Sequence, residues 1–175
     1  GTTYARFRYS SESGLPPTGT ARNGEVEDYK VVILSAPVKS IASTSAGHTS
    51  GTELTIGEVV RYRLQVALPE GVLPNFQLAD ALPPGLQYSN TVTVSMIADS
   101  GVITTGLTIT GTPFGDGTDP IFAFGTITNT DTDSNEEQLI VEFDAVVLNV
   151  IANQAGRTHD NTFTVSFDTV SKQSN

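Results

Sequence analysis

The sequence predicts an all-β protein, a β-sandwich preceded by an N-terminal strand pair. Three observations lead there. Every convincing apolar pattern alternates with period two, and no window sustains helical periodicity. Turn clusters punctuate those patterns at Pro69-Glu70-Gly71, Pro83-Pro84-Gly85, Gly115-Asp116-Gly117 and Asp131 to Glu137. The composition is built from strand and turn formers, with 16 Gly and 9 Pro among abundant Thr, Val, Ile and Ser. At 38% the hydrophobic content is low for an enzyme core yet above the disordered range.

The first unit runs from about residue 1 to residue 35. Tyr4 to Ser10 alternates, with Ala5, Phe7 and Tyr9 on one face and Arg6 and Arg8 on the other. A Ser-Glu-Ser-Gly-Leu-Pro-Pro-Thr-Gly loop follows, and a second strand spans Val26 to Leu34 after the Asn23-Gly24 turn. Pairing these strands is expected to set Arg6 and Arg8 against Glu25 and Glu27. Two strands alone cannot bury a face in water, so the pair needs a sheet to join.

Residues 36 to 175 form the longer unit. Candidate strands are Val38 to Ser43, Val59 to Leu68, Asn75 to Leu82, Thr91 to Ala98 and Val102 to Thr110. Ile121 to Ile127, Gln138 to Val150 and Asn161 to Asp168 complete the set. This spacing predicts an immunoglobulin-like sandwich, although the absence of Trp and Cys excludes the antibody type.

Charge and cysteine content narrow the function. With 19 acidic against 9 basic residues the formal charge is −10, which argues against nucleic acid and anionic membrane partners. Without Cys, neither disulfides nor thiolate metal sites can stabilise the chain. No signal peptide, transmembrane run or lipidation motif is recognised, and the start inside a strand-like pattern leads to the expectation of a fragment or processed product.

The informative signal is parity. In Val59 to Leu68 the residues Tyr62, Leu64, Val66 and Leu68 share a face, as an ordinary amphipathic strand requires. Asp80, however, shares its face with Phe76, Leu78 and Leu82. Asn161 shares its face with Phe163, Val165 and Phe167, and Lys39 has the parity of Ile41. Lys and Asp are rarely buried unpaired, because an isolated charge loses its hydration. Desolvation deprotonates a buried Lys and protonates a buried Asp. A neutral amine beside a carboxamide, with a protonated carboxyl polarising it, can form an intramolecular isopeptide bond with loss of ammonia. The plainer alternative is that Lys39 snorkels, Asp80 caps the Pro-Pro turn and Asn161 merely opens a strand.

Two stretches resemble known families. Thr3-Tyr-Ala-Arg-Phe-Arg-Tyr with Asn23-Gly-Glu-Val-Glu-Asp-Tyr29 resembles the end of a GEVED-type domain, which implies a large secreted bacterial protein. Ile56-Gly-Glu-Val-Val-Arg-Tyr, Asp80-Ala-Leu-Pro-Pro-Gly-Leu-Gln-Tyr88 and Asn161-Thr-Phe-Thr-Val resemble a repeat of bacterial surface proteins. That repeat is related to the fimbrial isopeptide-forming domains and the collagen-adhesin sandwich. The second resemblance covers roughly residues 37 to 170, with weaker agreement between Ile97 and Glu137. It implies Lys on the first strand, Asp before the Leu-Pro turn and Asn opening the last strand, which match Lys39, Asp80 and Asn161.

Other signals are weaker. Asp131, Asp133 and Asn135 alternate as calcium ligands do, with Glu142 where a twelve-residue loop would end, but Glu136 stands where Gly is wanted. A solvated hairpin loop accounts for them, and Asp116 with Asp119 is a fainter candidate still. His48 and His159, the only histidines, sit in loops without a nucleophile elbow, so no enzyme is expected. The expected function is a structural module of an extracellular filament or fibre, self-associating by β-strand addition. The rival readings are an adhesin that binds a host or matrix ligand and an accessory domain of a secreted hydrolase.

Overall fold

A computed structural model describes residues 2–20, 22–97, 102–104, 106, 108–110, 119–133 and 135–174. The chain divides into two compact units, Gly1–Ile33 and Leu34–Asn175. The first is a two-stranded antiparallel sheet of β1 (Thr2–Tyr9) and β2 (Glu25–Val32).

Its register corrects the expected charge pairing. Arg6 stands opposite Asp28, and Arg8 opposite Val26. Arg6 makes a bidentate pair with Asp28, both bonds 2.7 Å, while Arg8 turns to the carbonyls of Pro16, Thr18 and Gly19. Glu25 and Glu27 fall on the other face, opposite Tyr9 and Phe7, because cross-strand partners in this register share parity. Gly24 permits the entry into β2. Its φ is +108°, and a Cβ there would overlap the Tyr9 carbonyl. Phe7 and Tyr29 meet edge to face at 5.6 Å, yet Tyr4, Phe7, Tyr9 and Tyr29 all remain more than half exposed.

The second unit is a sandwich of two antiparallel sheets among the described residues. One contains β3 (Val38–Thr44), β4 (Val59–Ala67), β10 (Gln138–Val147) and β6 (Leu86–Ile97), in that order. The other runs β12 (Val170–Gln173), β11 (Thr162–Phe167), β5 (Gly71–Ala81), β9 (Ile121–Asn129) and β7 (Val102–Thr104), with β8 (Thr108–Thr110) also on β9. Among the described residues the one helical turn is a 3-10 turn at Ile151–Asn153, and no helix is long and apolar enough to cross a membrane.

Alternation builds the core. Val60, Tyr62, Leu64 and Val66 of β4 face Leu139, Val141, Phe143 and Ala145 of β10, and all are buried. Fully buried Phe76, Phe122, Phe124 and Phe163 with Leu73 and Leu78 fill the facing sheet. Each such side chain contributes roughly 2–3 kcal/mol of hydrophobic stabilisation. β5 starts before the expected Asn75. A bulge at Pro74-Asn75, with Asn75 at φ +55°, switches parity from Leu73 to Phe76 and lets one strand keep both inside. On the outer face Arg61 reaches Glu142 at 3.0 Å, Asp144 at 2.8 Å and Thr93 at 2.6 Å, while Arg63 holds Glu142 from the next position.

Candidate cross-link site

The sheet topology delivers Lys39, Asp80 and Asn161 to one point. β5 and β11 are neighbours in register, Phe163 opposite Asp80 and Thr162 opposite Ala81, so Asn161 arrives beside the end of β5. Lys39 comes from the facing sheet, on β3, where it pairs with Leu64. The side chains of Lys39 and Asp80 are 4% and 0% exposed, so the alternation of each strand has placed a charge-bearing group in the core. The snorkelling alternative for Lys39 is thereby excluded.

Lys39 Nζ donates to Asp80 Oδ2, and to Asn161 Oδ1 at 2.5 Å. The Tyr62 ring lies 4.8 Å from Nζ and the Phe143 ring 5.8 Å. These rings wall the amine from water. Two atoms of the cluster, Asp80 Oδ1 and Asn161 Nδ2, are buried without a hydrogen bond of good geometry, although the Asn161 carboxamide also interacts with the Tyr62 hydroxyl. Such atoms are rare, since an unmet one costs a desolvation penalty of about 1–3 kcal/mol.

Protonation follows from this burial. Loss of water pulls the Lys39 amine down from its usual range to about 8, against the upward pull of Asp80 and, more weakly, Asp119. The same loss pushes Asp80 up to about 6, with Lys39 opposing and Asp119 reinforcing. The pair therefore holds one shared proton across the neutral range. Within that state the tautomer with neutral amine and protonated carboxyl is the nucleophilic one.

Sequence reasoning missed Tyr62, read only as core, and Asp119, read only as a faint metal candidate. Parity put Tyr62 on the core face of β4, but its place beside Lys39 depends on the β3–β4 register, in which Ile41 is its cross-strand partner.

The other candidate residues lie elsewhere. Carboxylate oxygens of Asp131, Asp133 and Glu137 converge within 4.8 Å, so buried Glu137 takes the place expected of Asn135. Asn135 instead closes the turn on Asp133, its backbone N–H donating to Oδ1 at 2.6 Å. Glu137 accepts from Asn129 Nδ2 at 2.7 Å, and Asp131 Oδ1 accepts from the amides of Thr132 and Asp133. Glu142 of β10, the expected end of a calcium loop, is held instead by Arg61 and Arg63 of β4. Asp116 lies outside the described residues, and Asp119 is exposed. His159 Nε2 sits 3.1 Å from both Ala152 O and Asn153 Oδ1, a structural contact, while His48 lies in the turn after β3.

The chain matches no protein-family profile and no curated protein. Among solved structures it is similar to the major pilin SpaA of Corynebacterium diphtheriae, with 27% identity and a TM-score of 0.53 over 79% of this chain and 33% of that one. SpaA is described as pointing to a modular pilus assembly with stabilizing isopeptide bonds. The fold is also shared with BcpA, the major pilin subunit of Bacillus cereus, at 10% identity and a TM-score of 0.50 over 99% of this chain and 54% of that one. This chain thus spans about a third of SpaA and about half of BcpA.

Proposed function

We propose that this chain is a structural module of an extracellular bacterial surface filament, locked by an amide between Lys39 and Asn161. The observation that carries this reading is the buried amine–carboxyl–carboxamide cluster, in which Asp80 Oδ1 and Asn161 Nδ2 lack a hydrogen bond of good geometry. An Asn whose NH₂ is to leave needs no firm partner for it, and a carboxyl that shuttles a proton needs one oxygen free.

The step balances without a cofactor. The neutral Lys39 Nζ attacks Asn161 Cγ while protonated Asp80 polarises the carboxamide oxygen. The Nζ–Cγ bond forms, Asp80 carries the amine proton to Nδ2, the Cγ–Nδ2 bond breaks and ammonia departs. Proximity supplies most of the acceleration, because strand register already holds the reactants together. The reaction runs once per molecule, so the chain is a substrate of its own fold and not an enzyme.

The amide would join the first strand of one sheet to the entry of β11 in the other, a covalent tie between the two layers. A Cys-free module under tension gains from it what secreted domains otherwise obtain from disulfides. Likeness to SpaA and BcpA supports the filament. Exposed Phe7, Tyr9, Tyr29 and Val31 on β1–β2 support assembly by β-strand addition, which repeated head to tail gives an open fibre.

Two measurements test this reading. The intact mass of folded chain should be short by one ammonia, and Lys39→Ala should restore the full calculated mass. Purified chain should also form concentration-dependent oligomers that deletion of residues 1–33 abolishes. Strict monomers at every concentration, with the strand pair intact, would remove strand addition from the account.

A further inference from the structure

The run Ile56-Gly-Glu-Val-Val-Arg-Tyr62 contains a carboxylate that the cross-link chemistry leaves unused. Glu58 is 2% exposed, although it stands just before β4. Its hydrogen-bond partners are neutral donors from the chain that precedes it. Thr49 Oγ1 donates to Oε1 at 2.7 Å, Thr55 N–H to Oε2 at 2.8 Å and Ala46 N–H to Oε1 at 3.4 Å. Burial pushes this carboxyl upward, but these bonds, with one more from Thr44, hold it below the usual carboxylate range. Its backbone is tied too: Val147 N–H donates to Glu58 O at 2.9 Å, and Gly57 N–H to Val147 O at 2.8 Å. These bonds make the carboxylate the tie between the start of β4 and the loop that precedes it.

That loop, residues 45–57, supplies one wall of a cleft of about 800 Å³. The second wall is residues 153–161. It is anchored by Asn153, whose Nδ2 donates to Gly85 O at 2.8 Å and Leu148 O at 2.9 Å. Lys39, Tyr62 and Asn161 line the same cleft. The reacting amine and carboxamide thus border the space through which water would reach them, yet Lys39 stays 4% exposed.

We infer that Glu58 is a positioning residue for the cross-link, tying Thr49 to Thr55 so that the 45–57 strap holds its place as a wall of the cleft and keeps the Lys39 amine dry while it reacts. The inference rests on the amide proposed above. Glu58 acts through the strap, since its hydrogen bonds go to Thr44, Ala46, Thr49 and Thr55. The charged and titratable groups around Lys39 itself are Asp80 on β5, Asp119 ahead of β9 and Tyr62 on β4. Across the cleft stand His48 and Glu53 on the first wall, with Arg157 and His159 on the second. A loosened strap admits water, restores hydration to the ammonium form and leaves less neutral amine at a given pH.

The test uses the full chain synthesised cell-free, held denatured so that it keeps its full mass, then refolded across a pH series and weighed at intervals. Glu58→Gln and Thr49→Val should each slow amide formation roughly tenfold at neutral pH and move the alkaline limb of the rate profile, set by Lys39, up by about one pH unit. Thr49→Val leaves the Thr55 bond to Glu58 intact and serves if Glu58→Gln does not fold. An unchanged rate in folded Thr49→Val overturns the inference, and so does a slower rate with an unmoved profile. Failure of the underlying amide looks different: the parent chain itself would then keep its full mass at every pH.

Discussion

Replacing Asn161 with Ala isolates the cross-link, because it removes the acceptor and leaves the Lys39–Asp80 pair in the core. Lys39 and Asn161 are 122 residues apart, so the amide closes almost the whole second unit into a loop. Chain-entropy reasoning for a covalent closure of that length gives about 5 kcal/mol at room temperature. Loss of the Lys39–Asn161 hydrogen bond alone would account for only about 1 kcal/mol. For a unit of this size each kcal/mol moves Tm by about 2–4 °C, so the variant should melt about 10–20 °C below the parent. Differential scanning calorimetry of the two, with their intact masses taken from the same samples, decides it. A variant melting within about 4 °C of the parent would match a lost hydrogen bond and refute the covalent account.

Other consequences can be measured with the same material. Amide formation on refolding should be fastest between about pH 6 and about pH 8, where the pair holds one proton. It should slow at lower pH as the amine stays protonated, and at higher pH as Asp80 loses the proton that ammonia needs. Asn161→Ala should gain stability as pH rises above about 8, because there the unfolded Lys39 still binds the proton that the folded state has released. It should lose stability as pH rises towards about 6, where folded Asp80 holds a proton the unfolded carboxyl has shed. Urea titrations across pH would show both limbs, and the bonded parent should lack the alkaline one, since an amide nitrogen does not titrate. Asp80→Asn should fold yet keep its full mass, having no group to carry the proton. Gly85→Ala should cost at least about 2 kcal/mol in chemical denaturation, since φ is +98° and a Cβ would run into the Asn153 side chain that anchors the second wall of the cleft.

Much of the sandwich was legible because period-two alternation is a local property. Strand β10 alternates without a break from Gln138 to Val147, and the parity of Lys39 and Asp80 survives into their burial. What stayed hidden depends on partners far away in sequence. The register of β1 on β2 set Arg6 against Asp28 in place of a neighbouring glutamate, and no residue within either strand specifies that choice. Strand β12 escaped notice because its turn, Asp168-Thr169, has no Gly. Asp168 itself takes the left-handed conformation at φ +47°. Strand β6 begins at Leu86, immediately after a Pro-Pro-Gly cluster that reads only as a turn. The end of β10 was placed too late because Leu148 and Val150 extend an alternating apolar pattern, although the chain has already left the sheet for the 3-10 turn. Nothing in the run Ile56-Gly-Glu58 marks Glu58 as buried, and only the folded strap reveals the donors that bury it.

Fragment-ion sequencing of a protease digest addresses the central claim most directly. A branched peptide should appear in which the segment containing Lys39 is joined through its side chain to the segment containing Asn161, with the masses of the two summed less one ammonia. Recovery of both segments only as separate, unmodified peptides from fully folded protein would contradict it.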